Sequence, residues 1–374
     1  MEKIKKDDYR LLHTGFYNIY PIQNEISFAT LPNESNKDIS SDDLLIDDYY
    51  GRVFSSWLYN NLTPYGVGEK LNYYPTGISN EIVDTFRVPY RKIPIFKVSS
   101  LDSISPLVSE MEKANPNYQI LLRGQHSHYP IDRDKDEKRH LYGSEDIKEP
   151  SFLPSHLRSN FNENFMHSMW HSQAAILLND IGIDYSEELT PLEFQEYQKD
   201  IMAIKGGIDM NGFALGIAQH YGMPSIGLDL TKTLKVAAWF ALNKMIIDNE
   251  GITKTEPIKD FKNSIIYVFR CPENSVFSYS RVRPKIFPSG RPDAQDAWFG
   301  HVGWGYAKNQ LGSYLMCGFK MQPDFLNGLP KDFEKDLFPK KEYDPILNYF
   351  VKMKNRGCYE SEARRALNKI YLFE

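Results

Sequence analysis

AQHYGMPSIGLDLTKTLKVAAWFA, residues 218–241, decides how this chain is read. Gly222 ends a helix over Gly212 to Tyr221, because glycine takes the left-handed conformation that closes a helix without a Cβ penalty. Gln219 and His220 then fall in its last turn, a suitable place for a polar pair pointing into a cleft. After LDLT, Thr231 is placed to cap a further helix, KTLKVAAWFALNKM. Val236, Ala237, Trp239 and Phe240 make that helix apolar nearly all round, so it belongs at the centre of the fold.

Working outward, Phe161, Phe165, Met169, Ala174 and Leu177 recur near helical spacing between Asn160 and about Asp180, and a second helix follows Pro191. Ser103 or Ser105 caps a helix through PLVSEMEKAN, which Asn115-Pro116 stops before the apolar strand YQILLR. SIIYVFR (264–270) and SYLMCGF (313–319) have the β-branched and aromatic content of interior strands. RVPYRKIPIFKVSS (87–100) is strand-like, with prolines that assign it to an edge. The densely charged DRDKDEKRH (132–140) reads as a solvated loop. These elements predict an α+β fold: a mixed sheet core with several surrounding helices and one dominant domain. Residues 97–374 form that domain. Residues 1–96, with dispersed aromatics around the acidic stretch NESNKDISSDDLLIDDYY, read as an N-terminal extension packed on it.

Composition narrows the function classes. Over 374 residues the net charge is only −5, so no global field draws the chain to nucleic acid or an anionic surface. No apolar run reaches about 18 residues, and the basic start lacks the apolar stretch of a signal peptide, which predicts a cytoplasmic protein without a membrane partner. Cys271, Cys317 and Cys358 are widely separated, suiting neither a disulfide framework nor a thiolate zinc site. Glu163, His167 and His171 share one helical face, but the HExxH order is absent and surface histidines on an amphipathic helix are the reading. No P-loop, GxSxG or GxGxxG fingerprint occurs.

Arg123 stands at the end of an apolar strand, where its guanidinium fork could grip a carboxylate or phosphate, or make a structural salt bridge to Asp229. Gly124 beside it lets a ligand or another backbone come close. Asp229 either caps the following helix or orients Arg123 or His220. Arg158 could add a second cation to the same cleft, and Gln310 an amide.

Four segments, LLRGQ (121–125), FLPSHLR (152–158), the 218–241 stretch and NQLGSYL (309–315), resemble in order and spacing the FRG domain family, named for its Phe-Arg-Gly step. The resemblance covers roughly residues 97 to 372. Leu122 replaces the family's aromatic residue, and Ile226-Gly227 stands where a basic and a large apolar residue are usual. The Arg-Gly step and the late Glu360-Ser361-Glu362 are further similar to ADP-ribosyltransferases, in which a glutamate stabilises the positive sugar formed as nicotinamide leaves. These resemblances imply Arg123, His220, Asp229 and Glu362 as catalytic residues, and Gly124, Gln125, Arg158, Gln219, Tyr221 and Gln310 as ligand contacts. They imply no cofactor, with NAD as a substrate, a protein target, and an ADP-ribosyltransferase or NAD-consuming role in bacterial anti-phage defence. Equally open is a non-catalytic module that senses a ligand or binds a protein.

Overall fold

In the computed structural model, the described residues are 2–3, 44–47, 49–54, 82–88, 91–142, 144–184, 189–207, 209–285, 290–301, 308–357 and 361–373. Their centre is an eight-stranded mixed sheet. In chain order its strands are β1 (Ile82–Val88), β2 (Arg91–Lys97), β3 (Tyr118–Gln125) and β4 (Gly227–Thr231), then β5 (Ile265–Pro272), β6 (Val276–Ser278), β7 (Ala297–His301) and β8 (Leu315–Lys320). Across the sheet they run β6-β7-β4-β3-β5-β8-β2-β1. All pairs are antiparallel except β8 with β2.

Both faces of this sheet are covered, and the two-residue period of the strands divides the side chains between them. Ile120, Leu122, Ile266 and Val268 pack on one side with helices α1 (Ile104–Ala114) and α5 (Leu234–Leu242). Leu121, Tyr267 and Phe269 face the other side, beneath Phe152 and Leu311. β5 is buried along nearly its whole length, as expected of SIIYVFR. A second core lies among α2 (Glu163–Asp184), α3 (Pro191–Gly206), α4 (Asp209–His220), α6 (Pro345–Arg356) and α7 (Ser361–Leu367). Trp170, Phe213, Tyr221 and Phe350 occupy its interior. The mixed sheet with surrounding helices is the predicted architecture.

Local chemistry accounts for the differences from the sequence reading. The helix predicted over KTLKVAAWFALNKM (232–245) is shorter than expected: it stops at Leu242, where Asn243 Nδ2 donates to the Trp239 carbonyl at 2.9 Å. The β-branched Ile246 and Ile247 then pair with Lys254 and Thr253 in a hairpin, Asn243–Ile247 with Thr253–Pro257. DRDKDEKRH is not simply a solvated loop. Asp134 accepts from the Glu137 N–H at 2.7 Å at the start of a helix, Lys135–Tyr142, and Arg133 forms a buried pair with Glu149 at 2.7 Å.

β1 and β2 pair antiparallel at the edge that the prolines suggested, so residues 82–88 and 91–96, assigned to an extension, contribute strands to the main sheet. Pro94 has no N–H to donate, and the β8 ladder engages β2 only from Ile95 onward.

Candidate functional site

β3 and β4 are neighbours that touch in register only at Leu122 and Thr231. Beyond that point they splay, and the gap opens into a cavity of about 550 Å³. That size lies within the range of roughly 300–1,000 Å³ usual for small-molecule sites. Arg123 projects into the gap because it follows Leu122 by one residue on the opposite face of β3. Its Nη1 donates to the main-chain carbonyl of Asp229 at 2.6 Å, bridging the strands where their ladder has stopped.

The Asp229 carboxylate is held separately. Gln219 Nε2 donates to Oδ2 at 3.1 Å, and the Gln219 amide is itself oriented by hydroxyls. Ser225 Oγ at 2.7 Å and Ser155 Oγ at 3.3 Å both donate to Gln219 Oε1, which turns the NH₂ end toward Asp229. His220 Nδ1 lies 3.2 Å from Asp229 Oδ1, close enough for attraction but too poorly aligned for a hydrogen bond. Burial disfavours the His220 imidazolium more than Asp229 favours it, so the ring is neutral at neutral pH.

Gln219 and His220 reach this position because α4 ends as Gly222 requires. Met223 N–H bonds to the Ala218 carbonyl and Gly222 N–H to Gln219, each at 3.0 Å, with Gly222 at φ +89°. That is the Schellman arrangement, which satisfies carbonyls of the last turn while turning the chain into β4.

The cavity carries unbalanced positive charge. Arg158 lines it alongside Arg123, and the Arg123 cation is disfavoured first by burial and also by Arg158, with Asp229 opposing. Arg123 Nε and Gln125 Oε1 are buried without hydrogen-bond partners among the described residues. Gly124 borders the same space, but the position a Cβ would take overlaps the Ala237 carbonyl and stands 2.8 Å from Ala241 N. Its lack of a side chain therefore serves the close approach of another backbone, that of α5, one of the two readings open in the sequence.

Three residues read as site residues stand apart from the cavity lining. Tyr221 is buried in the helical core, its hydroxyl donating to the Asp344 carboxylate at 2.7 Å. Gln310 is buried, with Nε2 donating to Tyr314 Oη at 3.2 Å. Glu362 accepts from the Asn162 backbone N–H at 2.8 Å, just before α2. Glu360 lies outside the described residues. Conversely, Phe240 and Ser155 line the cavity from within motifs already noted, whereas Tyr371 and Gln295 line it with no sequence pattern to announce them.

Among the described residues no helix is long and apolar enough to cross a membrane. Neither the curated proteins nor the solved structures yield a match to the chain. Residues 121–250 match the family model of the FRG domain, a narrower span than the motif order suggested. That span begins in β3 and includes Arg123, Arg158, Gln219, His220 and Asp229, so the cluster at the strand gap lies within the segment that matches the FRG domain model.

Proposed function

We propose that the cavity binds a phosphate-bearing nucleotide, NAD foremost, with Arg123 and Arg158 as its phosphate anchors. The observation that carries this reading is the state of Arg123: a half-buried guanidinium bonded to a neutral carbonyl, next to a second arginine, with Nε buried and lacking a hydrogen-bond partner among the described residues. A partly desolvated cation in that condition is stabilised by an incoming anion, and a planar fork meets phosphate oxygens two at a time. Asp229 is the carboxylate best placed for chemistry on such a ligand, since Glu362 stands away from the cavity lining. As the bond to nicotinamide breaks and its electrons leave with the ring, positive charge develops on the sugar, and a nearby carboxylate lowers that barrier. Neutral His220 beside Asp229 is suited to accept the proton of the attacking hydroxyl.

The test combines two measurements on wild type and Arg123→Ala: thermal stabilisation by NAD, and release of nicotinamide followed chromatographically. Stabilisation and release in wild type alone support an NAD-consuming enzyme. Stabilisation without release supports a ligand sensor built on the same site. An unchanged melting temperature in wild type at millimolar NAD removes the nucleotide reading.

A further inference from the structure

Tyr371 lines the cavity that holds Arg123, Arg158 and Asp229, although it lies more than a hundred residues beyond the family-matched span. Its main chain is pinned on both sides. The Tyr371 N–H donates to the Tyr221 carbonyl at 3.0 Å, and its own carbonyl accepts from Arg291 Nη2 at 2.9 Å. Leu372 exchanges two bonds with Thr253 of the hairpin, one to Oγ1 at 3.0 Å and one from the Thr253 N–H at 2.6 Å. Phe373 stacks on Phe338 with ring centroids 4.1 Å apart. The segment is thus tied at three successive residues, and Tyr371 is the one of the three that lines the cavity.

Room for that ring is provided by Gly222, where a Cβ would stand 2.6 Å from the Tyr371 ring carbons. The glycine that ends α4 therefore also seats the aromatic wall. The Tyr371 hydroxyl is near enough to Asp229, Arg158, Arg291 and Arg123 for each to influence its ionisation, which sets it beside the charged groups of the site. Phe240, Met245 and Phe338 add apolar lining. A bare phosphate would leave this aromatic and apolar surface unused, whereas a planar base would cover it.

We propose that Tyr371 is a ligand-contacting residue whose ring packs against the base of a nucleotide while Arg123 and Arg158 hold its phosphates, so that the site prefers nucleoside diphosphates to bare pyrophosphate. This inference rests on the phosphate-binding reading above. Base–aromatic packing contributes about a tenfold gain in affinity or more.

Isothermal titration of the full chain with ADP and with pyrophosphate tests it in wild type, Tyr371→Ala and Tyr371→Phe. Wild type is expected to bind ADP at least about tenfold tighter than pyrophosphate. Tyr371→Ala is expected to lose that preference with pyrophosphate binding unchanged, and Tyr371→Phe to keep it. Should Tyr371→Ala fail to fold, Tyr371→Leu fills similar space without a π face and serves the same comparison. An ADP preference that survives in the Ala or Leu variant, or that is missing from wild type while pyrophosphate still binds, overturns the role of Tyr371 and leaves the phosphate site standing. Binding of neither probe by wild type overturns both.

Discussion

Arg123 bonds to the main-chain carbonyl of Asp229, at 2.6 Å, and not to its carboxylate. The salt bridge that the sequence made plausible is replaced by a contact to the main chain, so that Asp229 favours the Arg123 cation only through space while both residues line one cavity. Removing Arg123 therefore strands no buried carboxylate, because Gln219 continues to bond Asp229 Oδ2.

From this follows the expected behaviour of Arg123→Ala in the absence of ligand. It loses one charge-assisted hydrogen bond, worth about 1.5–3 kcal/mol, but also relieves a half-buried cation next to Arg158. Urea denaturation should show a net change within about 1 kcal/mol. A loss of roughly 3–5 kcal/mol would mark Arg123 as one half of a structural ion pair instead.

Gln219→Glu is expected to set two carboxylates face to face where an amide now donates to Asp229 at 3.1 Å. Like charges at that separation force one group to take up a proton in the folded state. Relative to wild type, the variant should lose about 2–3 kcal/mol at neutral pH, and the deficit should shrink as pH falls toward 5. Paired denaturation curves at the two pH values check both the sign and the size.

Gly124→Ala should unfold or strongly destabilise the protein, by about 3 kcal/mol or more, since the new methyl overlaps the Ala237 carbonyl. The melting temperature reports it directly. A well-folded alanine variant with weakened ligand binding would instead return Gly124 to a ligand-approach role.

Glu362→Ala is expected to leave NAD-dependent behaviour intact. Glu362 reaches across 200 positions to bond the backbone N–H of Asn162, whose own side chain accepts from Phe165 N–H at 2.9 Å at the start of α2. That is the chemistry of a helix cap, and its loss costs about 1 kcal/mol. A collapse of nicotinamide release without loss of stability would reverse this assignment.

Acid should destabilise the fold through buried neutral histidines. Burial, reinforced by Lys148, pushes His128 down to about 4, and burial also lowers His220. Because these rings accept protons more readily in the unfolded chain, stability is complete above about pH 6.5 and falls as pH drops from 6.5 toward 4. The His128 share is on the order of 3 kcal/mol at the acid end. Denaturation midpoints across this range should flatten in His128→Gln compared with wild type.

Much of this arrangement is written in short-range pattern. Gly222 specified the end of α4, SIIYVFR an interior strand, and Asn115-Pro116 a helix stop, because caps, turns and periodicity act over a few residues. Arg123, His220 and Asp229 were legible as neighbours of one cleft for the same reason, and all three line one cavity: each flanks the end of an element whose identity its own neighbours dictate. What only the tertiary structure decided depends on pairings over long separations. The partner of Arg123 lies 106 positions away, and whether its carbonyl or its carboxylate is met depends on where β3 and β4 part. Tyr221 sits next to His220 in sequence yet points into the helical core toward Asp344, because successive residues of a helix turn by about 100°. Tyr371 enters the site through its bonds to Tyr221, Arg291 and the hairpin, and no local pattern around it encodes those contacts. Sequence determines which groups stand at element ends; the packing of distant elements determines which of them share a cavity and which become part of its frame.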